Sequence, residues 1–84
     1  MGINIIPLAN RKIKLRRISR GMLNETINIP DQIVEGYGGR IINQKIYFME
    51  NKKKLLRVVY EKKGEEITIV TTYLTNQIKR YWRD

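Results

Sequence analysis

The chain has 84 residues, 42% of them hydrophobic, and carries 17 Lys and Arg against 8 Asp and Glu, for a net charge of +9 and a pI near 10.1. That length supports one domain, residues 1–84, with a single modest core. The absence of cysteine and histidine excludes disulfides, zinc fingers, Cys or His nucleophiles and a histidine general base.

No apolar run approaches the roughly 18 residues of a membrane span, and the N-terminus shows no signal-peptide pattern, so a cytoplasmic location is expected. No cofactor or metal is expected. An excess of positive charge on so small a domain most often serves a polyanion, the alternative being solubility alone. The charge is uneven: the first 30 residues hold six bases and one acid. A basic helix can also lie on a membrane, but that needs a bulky apolar face, and this region offers only Ala9, Ile13, Leu15 and Ile18.

Gly2 to Pro7 is an apolar lead-in, either a minor strand or simple packing. Leu8 to Arg17 has the spacing of a short helix, with Ala9 and Ile13 on one side and Arg11, Lys12, Lys14, Arg16 and Arg17 on the others. Ser19 is a candidate N-cap for a second helix to about Asn28, with Met22, Leu23, Thr26 and Ile27 as its buried stripe. Pro30 ends it, because the residue before proline is driven out of the α region.

Beyond Pro30 the pattern becomes extended. Asp31–Glu35 reads as a strand, Gly36–Gly39 as a turn, and Arg40–Phe48 as a second strand. The glycines are not a phosphate-binding loop, since no Lys-Ser or Lys-Thr pair opening a helix follows them. Asn51–Lys53 is read as a turn into a strand Lys54–Tyr60, Lys62–Gly64 as a hairpin, and Glu66–Tyr73 as a fourth strand of high β propensity. Thr75 is placed to cap a last helix, Asn76–Arg83. The expected fold is α+β: two N-terminal helices packed on an approximately four-stranded antiparallel sheet, closed by a short C-terminal helix. Helices are expected only before Pro30 and after Thr75.

The central anomaly is Arg57. The run Lys54 to Tyr60 is otherwise apolar enough to imply cover on both faces. Leu55, Arg57 and Val59 share one face, and Leu56, Val58 and Tyr60 the other. An unpaired charge buried there costs several kcal/mol. Two arrangements resolve it: a carboxylate partner, Glu61, Glu66 or Glu35, or a groove in which Arg57 meets an anionic ligand.

The segments Leu56–Glu61, Ile69–Tyr73 and Thr75–Trp82, with Arg16–Ser19 and Asn28–Asp31 ahead of them, resemble in order and spacing the small RelE-like domains related to the RelE and BrnT toxins. The resemblance spans about residues 8–82. It implies an antiparallel sheet with two helices on one face, and a metal-free ribonuclease toxin of a type II toxin-antitoxin pair, an mRNA interferase acting at the ribosome and held inactive by a cognate antitoxin protein. Relatives often carry a histidine near Leu8 or Ala9, and here none exists.

In that setting the candidate catalytic residues are Arg57 as phosphate clamp, Lys45 for positive field, and Tyr73 or Tyr81 as proton donor or base-stacking ring. Each tyrosine can equally be an amphipathic ring covering the sheet, and Trp82 reads as a core plug for the last helix. Arg11, Lys12, Lys14, Arg16, Arg17, Arg40 and Arg80 are the candidate RNA-binding cations. The expected partners are RNA and the antitoxin, with no membrane and with a homo-oligomer as an open option. Two other functions fit the same residues: a non-catalytic nucleic-acid-binding module, and a domain docking an acidic protein.

Overall fold

The computed structural model describes residues 2–84. The apolar lead-in is a true strand, β1 (Ile3–Ile5), followed by helices α1 (Pro7–Leu15) and α2 (Arg20–Asn28). Strands β2 (Gln32–Glu35), β3 (Ile41–Met49), β4 (Lys52–Lys63) and β5 (Glu66–Thr75) form a meander, and α3 (Ile78–Tyr81) closes the chain. The fold is α+β, with sheet order β1-β5-β4-β3-β2.

The sheet is therefore five-stranded and mixed, not four-stranded and antiparallel. β1 adds to β5 in parallel, Ile3 opposite Ile67 and Ile5 opposite Ile69. Ile3, Ile5 and Ile6 thereby reach the core, and Pro7 then opens α1 at a position where its missing N–H costs nothing.

α1 stops two residues short of the predicted Arg17. Arg17 takes a left-handed conformation, φ 56°, and the Ile18 N–H bonds the Ile13 carbonyl at 3.1 Å. This is a Schellman stop, and it turns Ile18 back onto Ile13 inside the core. Ser19 caps α2 as expected, its Oγ accepting from the Met22 N–H at 3.0 Å.

Three further boundaries differ from expectation. The β3–β4 connection is Glu50-Asn51, both at positive φ, between the paired Met49 and Lys52. This is the two-residue turn whose twist matches a hairpin, and it leaves Lys52 and Lys53 in the strand. A 3-10 turn at Tyr37–Gly39 breaks the expectation that helices lie only before Pro30 and after Thr75; Gly38 and Gly39 both adopt positive φ there. The last helix is one turn, not eight residues, because the backbone of Tyr81 and Arg83 bonds to the sheet (below) instead of continuing a helix.

The main core lies between the sheet and α1 and α2, where Leu56, Val58, Tyr60, Ile67 and Ile69 meet Ala9, Ile13, Ile18, Leu23 and Ile27. Asn43 ties the layers together. It is 1% exposed, its Nδ2 donates to the carbonyls of Thr26 (3.1 Å) and Ile27 (3.2 Å) at the end of α2, and its Oδ1 accepts from the Tyr60 hydroxyl at 2.9 Å. Burial raises the pKa of Tyr60 above the ordinary tyrosine value, partly offset by that bond. Leu55 and Arg57 lie on the opposite face, which the C-terminal segment covers. The run Lys54–Tyr60 is thus enclosed on both sides, as its composition implied.

Candidate functional site

One cross-strand row carries the site. Gln32 pairs with Gln44, Gln44 with Arg57 and Arg57 with Tyr73, on β2, β3, β4 and β5, so all four side chains share the face away from α1 and α2. Tyr73 reaches that face because of a bulge. Val59 pairs with Thr71 but Tyr60 pairs with Ile69, leaving Val70 as an extra residue. Before the bulge Ile67 and Ile69 face the helices; after it Thr72 and Leu74 do, and Tyr73 turns to Arg57. Without the extra residue the period-2 alternation would send Tyr73 into the helical layer.

Arg57 is only 8% exposed. Its Nε donates to Gln44 Oε1 at 3.0 Å and its Nη1 to the Tyr73 hydroxyl at 2.6 Å. The guanidinium lies 4.2 Å from the Tyr81 ring centroid, within the range of a cation–π contact. Tyr73 and Tyr81 meet edge to face at 6.1 Å. Gln44 Nε2 in turn donates to Gln32 Oε1 (2.7 Å) and to the Tyr81 carbonyl (3.1 Å). Gln32 Oε1 accepts from the Arg83 N–H at 3.0 Å, and Gln32 Nε2 donates to the Arg83 carbonyl. The glutamines thus fix the C-terminal segment, which lays Tyr81 on Arg57.

The carboxylate partners considered for Arg57 are engaged elsewhere or remote. Glu61 pairs with Arg40 at 3.2 Å, Glu66 accepts from Asn4, and Glu35 is exposed at the end of β2. Among the described residues the two ion pairs are Arg40–Glu61 and Lys45–Asp31, and no fully enclosed side-chain nitrogen or oxygen lacks a partner. Arg57 is therefore a buried cation held by neutral acceptors and a ring face. Nη2 bonds nothing among the described residues and is not fully enclosed.

Beside it opens a cleft of about 760 Å³, wrapped around the edge of β5 that β1 leaves free, with Lys12, Arg16 and Lys54 on one side and Tyr73 and Tyr81 on the other. Lys12 and Arg16, four apart on α1, project together: Lys12 Nζ donates to Thr71 Oγ1 and Arg16 Nη1 to the Thr72 carbonyl, both at 3.3 Å. Arg80 stacks on Tyr81 at 5.4 Å. Among the described residues no acidic side chain lines the cleft. An anion entering it meets three cations, Lys12, Arg16 and Lys54, and two phenols. Because the Tyr73 oxygen accepts from Arg57, its own proton is free to be donated to such a ligand.

Of the predicted catalytic residues, Arg57, Tyr73 and Tyr81 converge. Lys45 does not join them. Paired with Leu56, it projects to the helical face, where Nζ donates to the Ile29 carbonyl at 2.8 Å and approaches Asp31 at 3.8 Å. Of the predicted RNA-binding cations, Lys12 and Arg16 line the cleft and Arg80 borders it. Arg11, Lys14 and Arg17 are exposed on and just after α1, and Arg40 is paired to Glu61. Trp82 is half-buried and lines a pocket with Ile46 and Ile78, outside the main core cluster. Gln44, Gln32 and Lys54 were not singled out from sequence; a polar Asn-Gln pair within an apolar strand was the available signal.

The chain matches no family model, no curated protein and no solved structure.

Proposed function

We propose that this protein is a metal-independent endoribonuclease of RelE-like type, the toxin of a toxin-antitoxin pair, which holds an RNA phosphate against Arg57. One observation carries the reading: a buried arginine with no carboxylate partner among the described residues, held against two tyrosines that line a cleft with three cations and no acid. A charge kept in that state costs several kcal/mol unless something outside the protein completes it, and the guanidinium fork fits a phosphate. The coarse α+β architecture, two N-terminal helices on one sheet face and a short C-terminal helix on the other, supports the reading.

In this reading the 2′-oxygen attacks the adjacent phosphorus, the P–O5′ bond breaks, Arg57 and Lys12 stabilise the added negative charge, and Tyr73 protonates the departing 5′-oxygen. The proton of the 2′-hydroxyl passes to water. Lys12 and Lys54 take over the role first given to Lys45. Messenger RNA at the ribosome, in the cytoplasm, is the substrate, and an antitoxin protein the inhibitor.

A second reading, RNA binding without cleavage, is favoured by the same lining: with neither histidine nor carboxylate in the cleft, no side chain there is an ordinary base at neutral pH. Expression in cells, scoring growth and RNA integrity, and incubation of purified protein with labelled RNA in chelator distinguish them. Cleavage by the parent, lost in Arg57→Ala and reduced in Tyr73→Phe, supports the nuclease. Intact RNA bound with a steep salt dependence selects the binding module, and RNA neither bound nor cut overturns both.

A further inference from the structure

A second basic surface lies on the same sheet face, four residues down β4 from Arg57. Phe48 is 72% exposed, one residue from the end of β3 beside the hairpin turn, opposite Lys53. The Lys53 ammonium sits 5.8 Å from the ring centroid, so one ring face is backed by a cation. Lys53 also lines a separate open pocket with Gln77, Ile78, Lys79 and Arg80. Lys53, Lys79 and Arg80 have no carboxylate within ion-pair distance among the described residues. Arg80 lines this pocket while stacking on Tyr81 of the Arg57 cleft, so the two basic surfaces are contiguous.

We infer that Phe48, Lys53, Lys79 and Arg80 form a subsite for single-stranded RNA beyond the phosphate at Arg57, in which an unpaired base stacks on Phe48 and the flanking phosphates meet the three cations. The inference rests on the RNA-binding reading above and deepens it by naming the substrate form. An exposed aromatic ring beside clustered cations is the combination that binds single strands with little sequence preference. A duplex presents no free base face to such a ring. Four strand residues separate Lys53 from Arg57, about 13 Å at 3.3 Å per residue, so only a chain of several nucleotides spans both.

The test is the affinity of the 84-residue protein for oligouridylates of increasing length, measured by fluorescence anisotropy, alongside an abasic chain of the longest length. The parent should gain affinity as length increases. Phe48→Ala should lose about tenfold on the octanucleotide and far less on the dinucleotide, Phe48→Tyr should restore the parent value, and on the abasic chain parent and Phe48→Ala should bind alike. Arg57→Ala should weaken every length. If Phe48→Ala binds the octanucleotide as the parent does, or loses as much on the dinucleotide or the abasic chain, the stacking subsite is refuted, while the Arg57 cleft still stands if Arg57→Ala is impaired. If the parent binds none of these chains, the RNA reading falls and the subsite with it.

Discussion

Replacing Arg57 by alanine separates a structural from a ligand-binding role, and the geometry sets the scale of each effect. The substitution strands Gln44 Oε1, buried on β3 and acceptor of the 3.0 Å bond from Nε, at a cost of about 1–3 kcal/mol. It also removes the contact with Tyr81, worth about 2 kcal/mol when desolvated. Against these stands the relief of keeping a guanidinium buried without a counter-ion beside other cations, several kcal/mol in the opposite sense. No carboxylate is left unpaired, so the roughly 3–5 kcal/mol loss that follows the breaking of a buried ion pair does not arise. The expected net change is about 1 kcal/mol, a shift of roughly 4–8 °C in Tm for a domain of this size. RNA affinity should fall at least tenfold, since a hydrogen bond to a charged group is worth about 1.5–3 kcal/mol, and cleavage at least a hundredfold. Thermal melts in rising inorganic phosphate add an independent reading: the parent should gain stability with the logarithm of phosphate concentration, and the variant much less. A variant that melts more than about 20 °C below the parent, or that retains RNA affinity and the phosphate response, would show that Arg57 serves the fold alone.

Asn43→Ala should be the most damaging polar substitution in the core, because it orphans two carbonyls at the end of α2 and the Tyr60 hydroxyl; denaturant unfolding should show a loss of about 2–4 kcal/mol. Arg17→Gly should instead stabilise by about 1 kcal/mol, since glycine takes the left-handed conformation at the end of α1 without penalty, and a melt unchanged or lowered would contradict the Schellman stop. Alkaline pH should destabilise the protein. Burial raises the folded-state pKa of Tyr60, and burial followed by the bond to Glu25 raises that of Tyr47, so above pH about 10 the unfolded chain releases protons that the native state retains and stability falls. Urea midpoints through that range should decline less in Tyr60→Phe than in the parent; equal declines would mean that the Tyr60 hydroxyl titrates freely.

Much of the fold was legible because local signals agreed with the tertiary outcome. The Ser19 cap, the Met22–Ile27 stripe, the stop at Pro30 and the glycine turns each have a local physical cause. The alternation about Arg57 correctly placed Leu56, Val58 and Tyr60 on the face opposite it, which the structure packs against the helices. What was left open or misplaced depended on distant partners. β1 is a strand only because the outer edge of β5 lies beside it, α3 is short because Gln32 and Gln44 hold its backbone, and neither partner is near in sequence.

The site was legible in its residue types but not in its assembly. Arg57 stood out because a guanidinium in an apolar strand demands explanation, and Tyr73 and Tyr81 because phenols are among the few groups left in a chain without histidine. Lys45 was grouped with them because its strand neighbours that of Arg57, yet strand proximity does not fix the face. Opposite Leu56, Lys45 belongs to the helical side, and one residue along β3 the unremarked Gln44 occupies the place facing Arg57. The Val70 bulge has the same lesson on the other flank: a strict alternation from Ile69 would have carried Tyr73 away from the guanidinium. The row Gln32–Gln44–Arg57–Tyr73 thus exists only once two registers and one bulge are set, and each is chosen by the apolar residues of the opposite face. Burying Ile67, Ile69 and Leu74 against the helices requires the offset in β5, and the same offset delivers the phenol to the arginine. Core packing and cleft chemistry are two faces of one register, so a change that shifts β5 by one residue would disrupt both at once.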